Sequence, residues 1–386
     1  MKQEVQFLLE IIKYYLNKND EFSFEKKNLN WEELFSIAIR HNVLNFVYYY
    51  VEELGIKKQL KDEEYQYLFR TAIYEMTKSY NQIYAAEELF DTFEKQGVCA
   101  LAVKGICAKY YYPQYDMRSM GDIDVLYQAS QHQKVKRVMK QLEYKQSSEG
   151  RKHDCYIREP FIAVEMHREL VATDSEYNSY YKDIWNKLKR KDNRKYIYEM
   201  SLEDEYIYSL VHLVEHFRNG GIGIRFVMDV YVYNKMEQMN WDYIEKELRQ
   251  LKIWDFYKKI SLLAEMWFGT EELNNDEDKS LMDKLSRYIV SNGVFGTQKN
   301  SAAIAVAREG KVVFLLKAIF PNLKNMQSMF PWLKRWPVLL PYAWCLRGVR
   351  SVVYRRENIK SQINKYKYGD KAHGEELKKF LKKCGL

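Results

Sequence analysis

The chain has 386 residues, 47% of them hydrophobic and 30% charged, a balance that fits a folded soluble protein and sets aside a disordered or fibrous one. Its length exceeds what one compact core usually holds, so two or three structural units are expected. Five cysteines (Cys99, Cys107, Cys155, Cys345, Cys384) lie scattered without a CxxC pair, which argues against a disulfide framework or zinc knuckle and favours a reducing cytoplasm.

The net charge of +8 is unevenly spread. Between Lys311 and Gly369 twelve Lys or Arg face one acid, Glu357, so that segment carries +11 and the rest of the chain −3. Basicity therefore belongs to the tail and not to the chemistry-bearing middle.

From the amino terminus, MKQEVQFLLEIIKYYLNKND holds Glu4 and Glu10 within its apolar stretch and has no small-residue cleavage site. It reads as an amphipathic helix, not a signal peptide. Helical periodicity continues through WEELFSIAIRHNVLNFVYYYVEEL and from Glu63 to Gln96, where Gly97 closes the run. The pattern then changes. VCALAV (98–103) has strand length and Lys104-Gly105 breaks it. ICAKYYY reads as a helix, a polar loop follows Pro113, GDIDVLY (121–127) is strand-like and QHQKVKRVMKQL (131–142) is helical. Two strands joined at Pro160 are expected within 155–170. Ser201 with Asp204 three positions on is a helix start, and helices continue to Gly269. Asn274–Lys279 and 291–301 read as loops.

GDIDVLY carries the chemistry. Aspartate is disfavoured inside strands, yet Asp122 and Asp124 sit on one face of this one while Ile123 and Val125 point to the other. Two neighbouring carboxylates repel unless a cation joins them, and magnesium prefers such oxygens. On the strand FIAVEMHREL, Glu165 and His167 share a face opposite Val164 and Met166, so Glu165 can complete a two-metal site, with Glu169 in reserve. An alternating strand with one solvated face would read the same way.

The ordered set LAVKGICAKYYYPQYDMRSMGDIDVLY, then IAVEMHREL, then SLEDEYIYSLVHLVEHFRNGGIGIRFVMDVYVY resembles the bacterial family of uncharacterised nucleotidyltransferases within the polymerase-beta-like superfamily, over roughly residues 30 to 270. The resemblance implies that Asp122, Asp124 and Glu165 hold two Mg²⁺ ions, with Mn²⁺ as the substitute, and that Asp124 bridges them. It implies that Lys104-Gly105 stands where the superfamily has Gly-Ser or Gly-Gly, that Gly105 lets backbone approach a triphosphate, and that Lys104 and Arg118 neutralise phosphate. An acceptor hydroxyl on a small molecule, sugar or protein would attack the α-phosphate of a nucleoside triphosphate and expel pyrophosphate. Replacing Asp124 by Asn is then expected to stop turnover while relieving repulsion in the fold.

His167 and His153 lie on adjacent expected strands, where either can touch nucleotide or serve structure. His212 and His216 are four apart on a helix, a spacing that metals accept, but without HExxH polar packing or substrate contact is expected. The tail mixes Trp, Phe, Leu, Lys and Arg without the 18–20 apolar residues of a membrane span. It can lie on an anionic membrane face, bind RNA or form an ordinary exposed helical face.

The resulting expectation is an α+β protein with a mixed-sheet nucleotidyltransferase core (76–200), a helical lead-in (1–75), a helical domain (201–300) and a basic, aromatic region (301–386). It is cytoplasmic and can be membrane-peripheral. Two other functions fit the residues: a catalytically silent subunit that binds a nucleotide or partner, and a metal-dependent glycosyltransferase. The helical first hundred residues disfavour the latter, which would need a nucleotide-binding αβ half before its Asp-x-Asp.

Overall fold

The computed structural model describes residues 1–17, 29–150, 152–160, 162–269, 276–294, 296–354 and 370–386. They form two compact units, residues 1–213 with 223–294 and residues 214–222 with 295–386.

The first unit begins with α1 (Gln3–Asn17), α2 (Trp31–Arg40), α3 (Leu44–Glu53) and the 35-residue α4 (Asp62–Gln96). Asn30 caps α2 by accepting the amide of Glu33, and Gly97 ends α4 with φ +67°, a conformation that glycine adopts without a Cβ penalty. The sequence boundary at residue 75 falls within α4.

After Gly97 come β1 (Ala100–Val103), the single-turn α5 (Gly105–Ala108), β2 (Ile123–Tyr127), α6 (His132–Gln141), β3 (Lys145–Glu149), β4 (His153–Arg158), β5 (Ile162–His167), α7 (Asn178–Tyr181), β6 (Lys189–Arg190) and β7 (Ile197–Glu199). The strands make one mixed seven-stranded sheet in the order β3-β4-β5-β2-β1-β7-β6, with β2/β5 and β1/β7 parallel and the other pairs antiparallel. This is the α+β class expected.

Alternation decides which side of the sheet is dry. Ile123, Val125 and Tyr127 on β2, with Val164 and Met166 on β5, pack under Ile83, Leu89 and Phe93 of α4 and Val135, Val138 and Met139 of α6. The intervening residues of β2 and β5, Asp124, Glu165 and His167 among them, fall on the opposite face, which α4 and α6 leave uncovered.

The chain continues through α8 (Leu202–Asn219), whose residues from Val214 on count with the second unit, and then α9 (Ile224–Asn234), α10 (Trp241–Gln250) and α11 (Trp254–Phe268) of the first. The Ser201 hydroxyl accepts the amide of Asp204 at 3.1 Å, the start expected for α8. A helix already begins at Asp276, where the sequence suggested a loop from Asn274 to Lys279; residues 274 and 275 lie outside the described residues.

In the second unit the helices Gln298–Glu309 and Lys371–Lys383 lie close enough that a Cβ on Gly374 would sit 2.2 Å from the carbonyl oxygen of Ala303. His373 Nε2 meets Asn300 Oδ1 at 3.1 Å in the same seam. Met326, Phe330, Leu333 and Ala343 form a small separate core. Residues 355–369 of the basic tail lie outside the described residues.

Candidate active site

Register builds the site. Asp124 on β2 is paired with Val103 on β1 and with Glu165 on β5, and Glu165 is in turn paired with Cys155 on β4. Paired residues point to the same face, so Asp124, Glu165 and Cys155 form a row across three strands. One pleat further along, His167 on β5 pairs with His153 on β4. Asp122 immediately precedes β2 and is half-buried.

The chain leaves β1 through an unusual turn. Lys104 has φ +60° and ψ −127°, a region that non-glycine residues rarely occupy and that costs about 1–3 kcal/mol. That backbone accompanies an ammonium placed 2.6 Å from Asp124 Oδ1. His167 Nε2 reaches the same oxygen at 2.7 Å and lies 3.3 Å from Glu165 Oε2. His153 Nε2 and Cys155 Sγ approach the other oxygen of Glu165, Oε1, at 3.6 Å and 3.8 Å.

The three carboxyls differ in charge state because their company differs. Burial, followed by the charges of Asp124 and Glu165, pushes Asp122 up to about 6. Burial would raise Asp124 too, but the Lys104 ammonium and His167 outweigh it and hold that carboxyl well below the usual carboxylate range. The hydrogen bond from His167 holds Glu165 below its ordinary value against burial. Burial would lower Lys104, yet Asp124 carries it above the usual lysine range, and burial lowers His153.

Both cations assigned to phosphate are committed inside the protein. Lys104 holds Asp124. Arg118, buried, forks onto Asp229 of α9 through Nε at 2.6 Å and Nη2 at 2.8 Å, and Tyr112 donates its hydroxyl to the same carboxylate at 2.7 Å. Beside this pair Arg225 Nη1 donates to the Ser119 carbonyl at 2.6 Å; burial and then the neighbouring Arg118 charge lower its guanidinium to about 9. The sequence reading missed this network, although an Asp in the apolar run RFVMDVYVY was its signal. Gly105 opens α5, where a Cβ would sit 3.2 Å from the Cβ of Met120, so close packing there favours glycine.

Of the remaining candidates, Glu169 is exposed and accepts from Thr173. Among the described residues, the one group of three or more possible metal ligands drawn closely together is His153, Glu165 and His167, whose ligand atoms lie within 4.8 Å of one another; His212 and His216 are not part of it.

The donor set suits a divalent cation: carboxylates outnumber nearby cations, and in this state an ammonium and an imidazole nitrogen stand against the Asp124 oxygen that an ion would take. No curated protein and no solved structure matches the chain. A family model described as uncharacterised nucleotidyltransferase matches residues 27–269, which span α2 to α4, the whole sheet and α8 to α11 and leave out α1. The chain belongs to this nucleotidyltransferase family.

Proposed function

We propose that the protein is a nucleotidyltransferase of the polymerase-beta-like kind that moves a nucleoside monophosphate from a nucleoside triphosphate to a hydroxyl acceptor in the presence of Mg²⁺ or Mn²⁺. The observation that carries this reading is the register that sets Asp124 beside Glu165, with Asp122 one pleat away. Family membership supports a nucleoside triphosphate as substrate.

Asp122, Asp124 and Glu165 would hold the dications, which when bound supply positive charge against the triphosphate and the departing pyrophosphate. Lys104 now pairs with Asp124; with a cation held by that carboxylate, its ammonium would be available to phosphate oxygens. Gly105 presents backbone without a side chain at the same corner. The acceptor oxygen forms a bond to the α-phosphorus, the bond from that phosphorus to pyrophosphate breaks, and the hydroxyl proton passes to Glu165.

Pyrophosphate release from each of the four triphosphates, with water or the protein's own hydroxyls as surrogate acceptor, tests this. Asp122→Asn and Asp124→Asn should each slow release by about a hundredfold or more while circular dichroism is unchanged, the scale of losing one charge-stabilising group. Asp122→Asn is the safer variant, since it strips no partner from Lys104. Release at the wild-type rate from either folded variant would exclude the metal assignment. A triphosphate that raises the melting temperature without any release points instead to a silent binding subunit.

For residues 311–369 we propose an anionic membrane surface as partner. Twelve cations against Glu357 supply the charge. The apolar side chains Val312, Leu316, Trp336, Val338, Tyr342 and Val349 are exposed, Val338 at 80%. In the helix Leu340–Tyr354 the exposed residues Tyr342, Cys345 and Val349 carry no charge and set an uncharged stripe toward solvent. A second copy on this face would set cation against cation. Among the described residues no helix is long and apolar enough to cross a membrane, which leaves an interfacial contact. Full-length protein should sediment with phosphatidylserine-containing vesicles at low salt, and Trp336→Ser with Val338→Asp should abolish it. Equal pelleting of both proteins would discard Trp336 and Val338 as the contact, and negligible pelleting of both at low salt would discard the membrane and leave RNA or a protein to be tried.

A further inference from the structure

The row formed by β4 and β5 differs chemically from the Asp122–Asp124 pair. Its donors are two imidazole nitrogens and one carboxylate, on adjacent strands fixed by the pairings His153 with His167 and Cys155 with Glu165. His167 Nε2 lies 3.3 Å from Glu165 Oε2 and His153 Nε2 lies 3.6 Å from Glu165 Oε1, and the rings stand 4.8 Å apart at 51°. Ligand atoms bound to one ion by bonds of about 2.0–2.1 Å are about 3 Å apart along the edges of its coordination shell. These two separations are near that value and all three donor atoms lie within 4.8 Å of one another, so side-chain rotation, with His167 turning from Asp124, can draw them onto one ion.

We propose that His153, Glu165 and His167 form a site for a first-row transition-metal dication, separate in chemistry from the oxygen-only position offered by Asp122 and Asp124. Magnesium takes hard oxygen ligands and gives up its water reluctantly, whereas imidazole favours transition metals. Two histidines and one carboxylate, leaving further positions open, are a recognised set for such ions. His167 is buried and His153 half-buried, so the pocket offers both shelter and an entry side. Cys155 Sγ, 3.8 Å from Glu165, adds a soft neighbour. The site deepens the proposed function by naming the ion at one of its two positions. Binding itself rests only on these side chains, while the ion's use in transfer rests on that function.

The test uses full-length, chelator-treated protein with Mn²⁺ as probe and no nucleotide. Mn²⁺ should bind at least about tenfold tighter than Mg²⁺ in competition. Pulsed electron paramagnetic resonance should show coupling of bound Mn²⁺ to nitrogen-14. His153→Asn, at a half-buried position where unfolding is not expected, should weaken that coupling, and His153→Asn with His167→Asn should remove it while Asp122→Asn keeps it. Bound Mn²⁺ without nitrogen coupling, or with affinity unchanged in the folded double variant, overturns the proposal. Absence of nitrogen coupling in the wild-type protein, if that protein releases pyrophosphate with Mg²⁺, sinks this inference and spares the proposed function; nitrogen coupling in a wild-type protein that never turns over does the reverse.

Discussion

Asp124 and Asp229 are both buried beside a cation, and the difference between them separates structure from chemistry. Asp229 is closed: two nitrogens of Arg118 and the hydroxyl of Tyr112 occupy its oxygens, and the group ties β2's entry loop to α9. Asp124 is open. Its partners Lys104 and His167 crowd one oxygen, while the acids Asp122 and Glu165 stand close enough to raise or compete for charge. A buried acid matched by its own cation and hydrogen bonds holds a fold together. A buried acid among other acids holds excess negative charge that only a further cation relieves.

The largest effect expected from this contrast is on stability at the closed pair. Asp229→Ala leaves the Arg118 guanidinium buried without its carboxylate and next to a second buried arginine, Arg225. The loss should be about 3–5 kcal/mol, the usual cost of removing one partner of a buried ion pair. Urea unfolding followed by tryptophan fluorescence measures it, and Arg118→Met with Asp229→Leu should recover much of it. A midpoint unchanged by Asp229→Ala would mean that Arg118 is free to turn elsewhere, and would return it to the phosphate role that the sequence suggested.

The same contrast explains what could be read from the sequence. Alternation in GDIDVLY and FIAVEMHREL announced which face each acid would take, because period two is a local property of the chain. The order of those strands in the sheet follows from long-range pairing, and it is what places His153 beside His167. The strands β3, β6 and β7 were not foreseen: KQSSE is polar and wholly exposed, and the others span only two or three residues, too short for any pattern to register. Arg118 was read as a phosphate ligand because Asp229 lies 111 residues away, and no local signal joins them. Lys104 was placed near phosphate without its bond to Asp124, which reverses one expectation: removing Asp124 strips a partner from a buried ammonium and does not simply relieve repulsion.

Relief of repulsion belongs to Asp122, and pH exposes it. Its carboxyl is pushed up to about 6, above an unfolded value of about 3.9. Between about pH 4 and pH 6 the folded protein therefore retains a proton that the unfolded chain has released, so this group makes stability fall as pH rises through that window. Above about pH 6 the penalty is fully present. Asp124 behaves oppositely: held below its unfolded value, it stabilises the fold at neutral pH and loses that contribution only as the solution becomes strongly acidic. In metal-free buffer Asp122→Asn should match the wild type near pH 4 and gain on it up to pH 6.5. The gain should level off at about 1–2 kcal/mol, part of the relief being returned by the polar amide that must itself be sheltered. Saturating Mg²⁺ should shrink or invert the difference, since a bound cation stabilises only a protein that retains its ligand. Denaturation midpoints across that pH range decide it. A variant less stable than the wild type at pH 7.5 without metal would show that Asp122 is already compensated, and the site would then lack the excess charge that distinguishes it from Asp229.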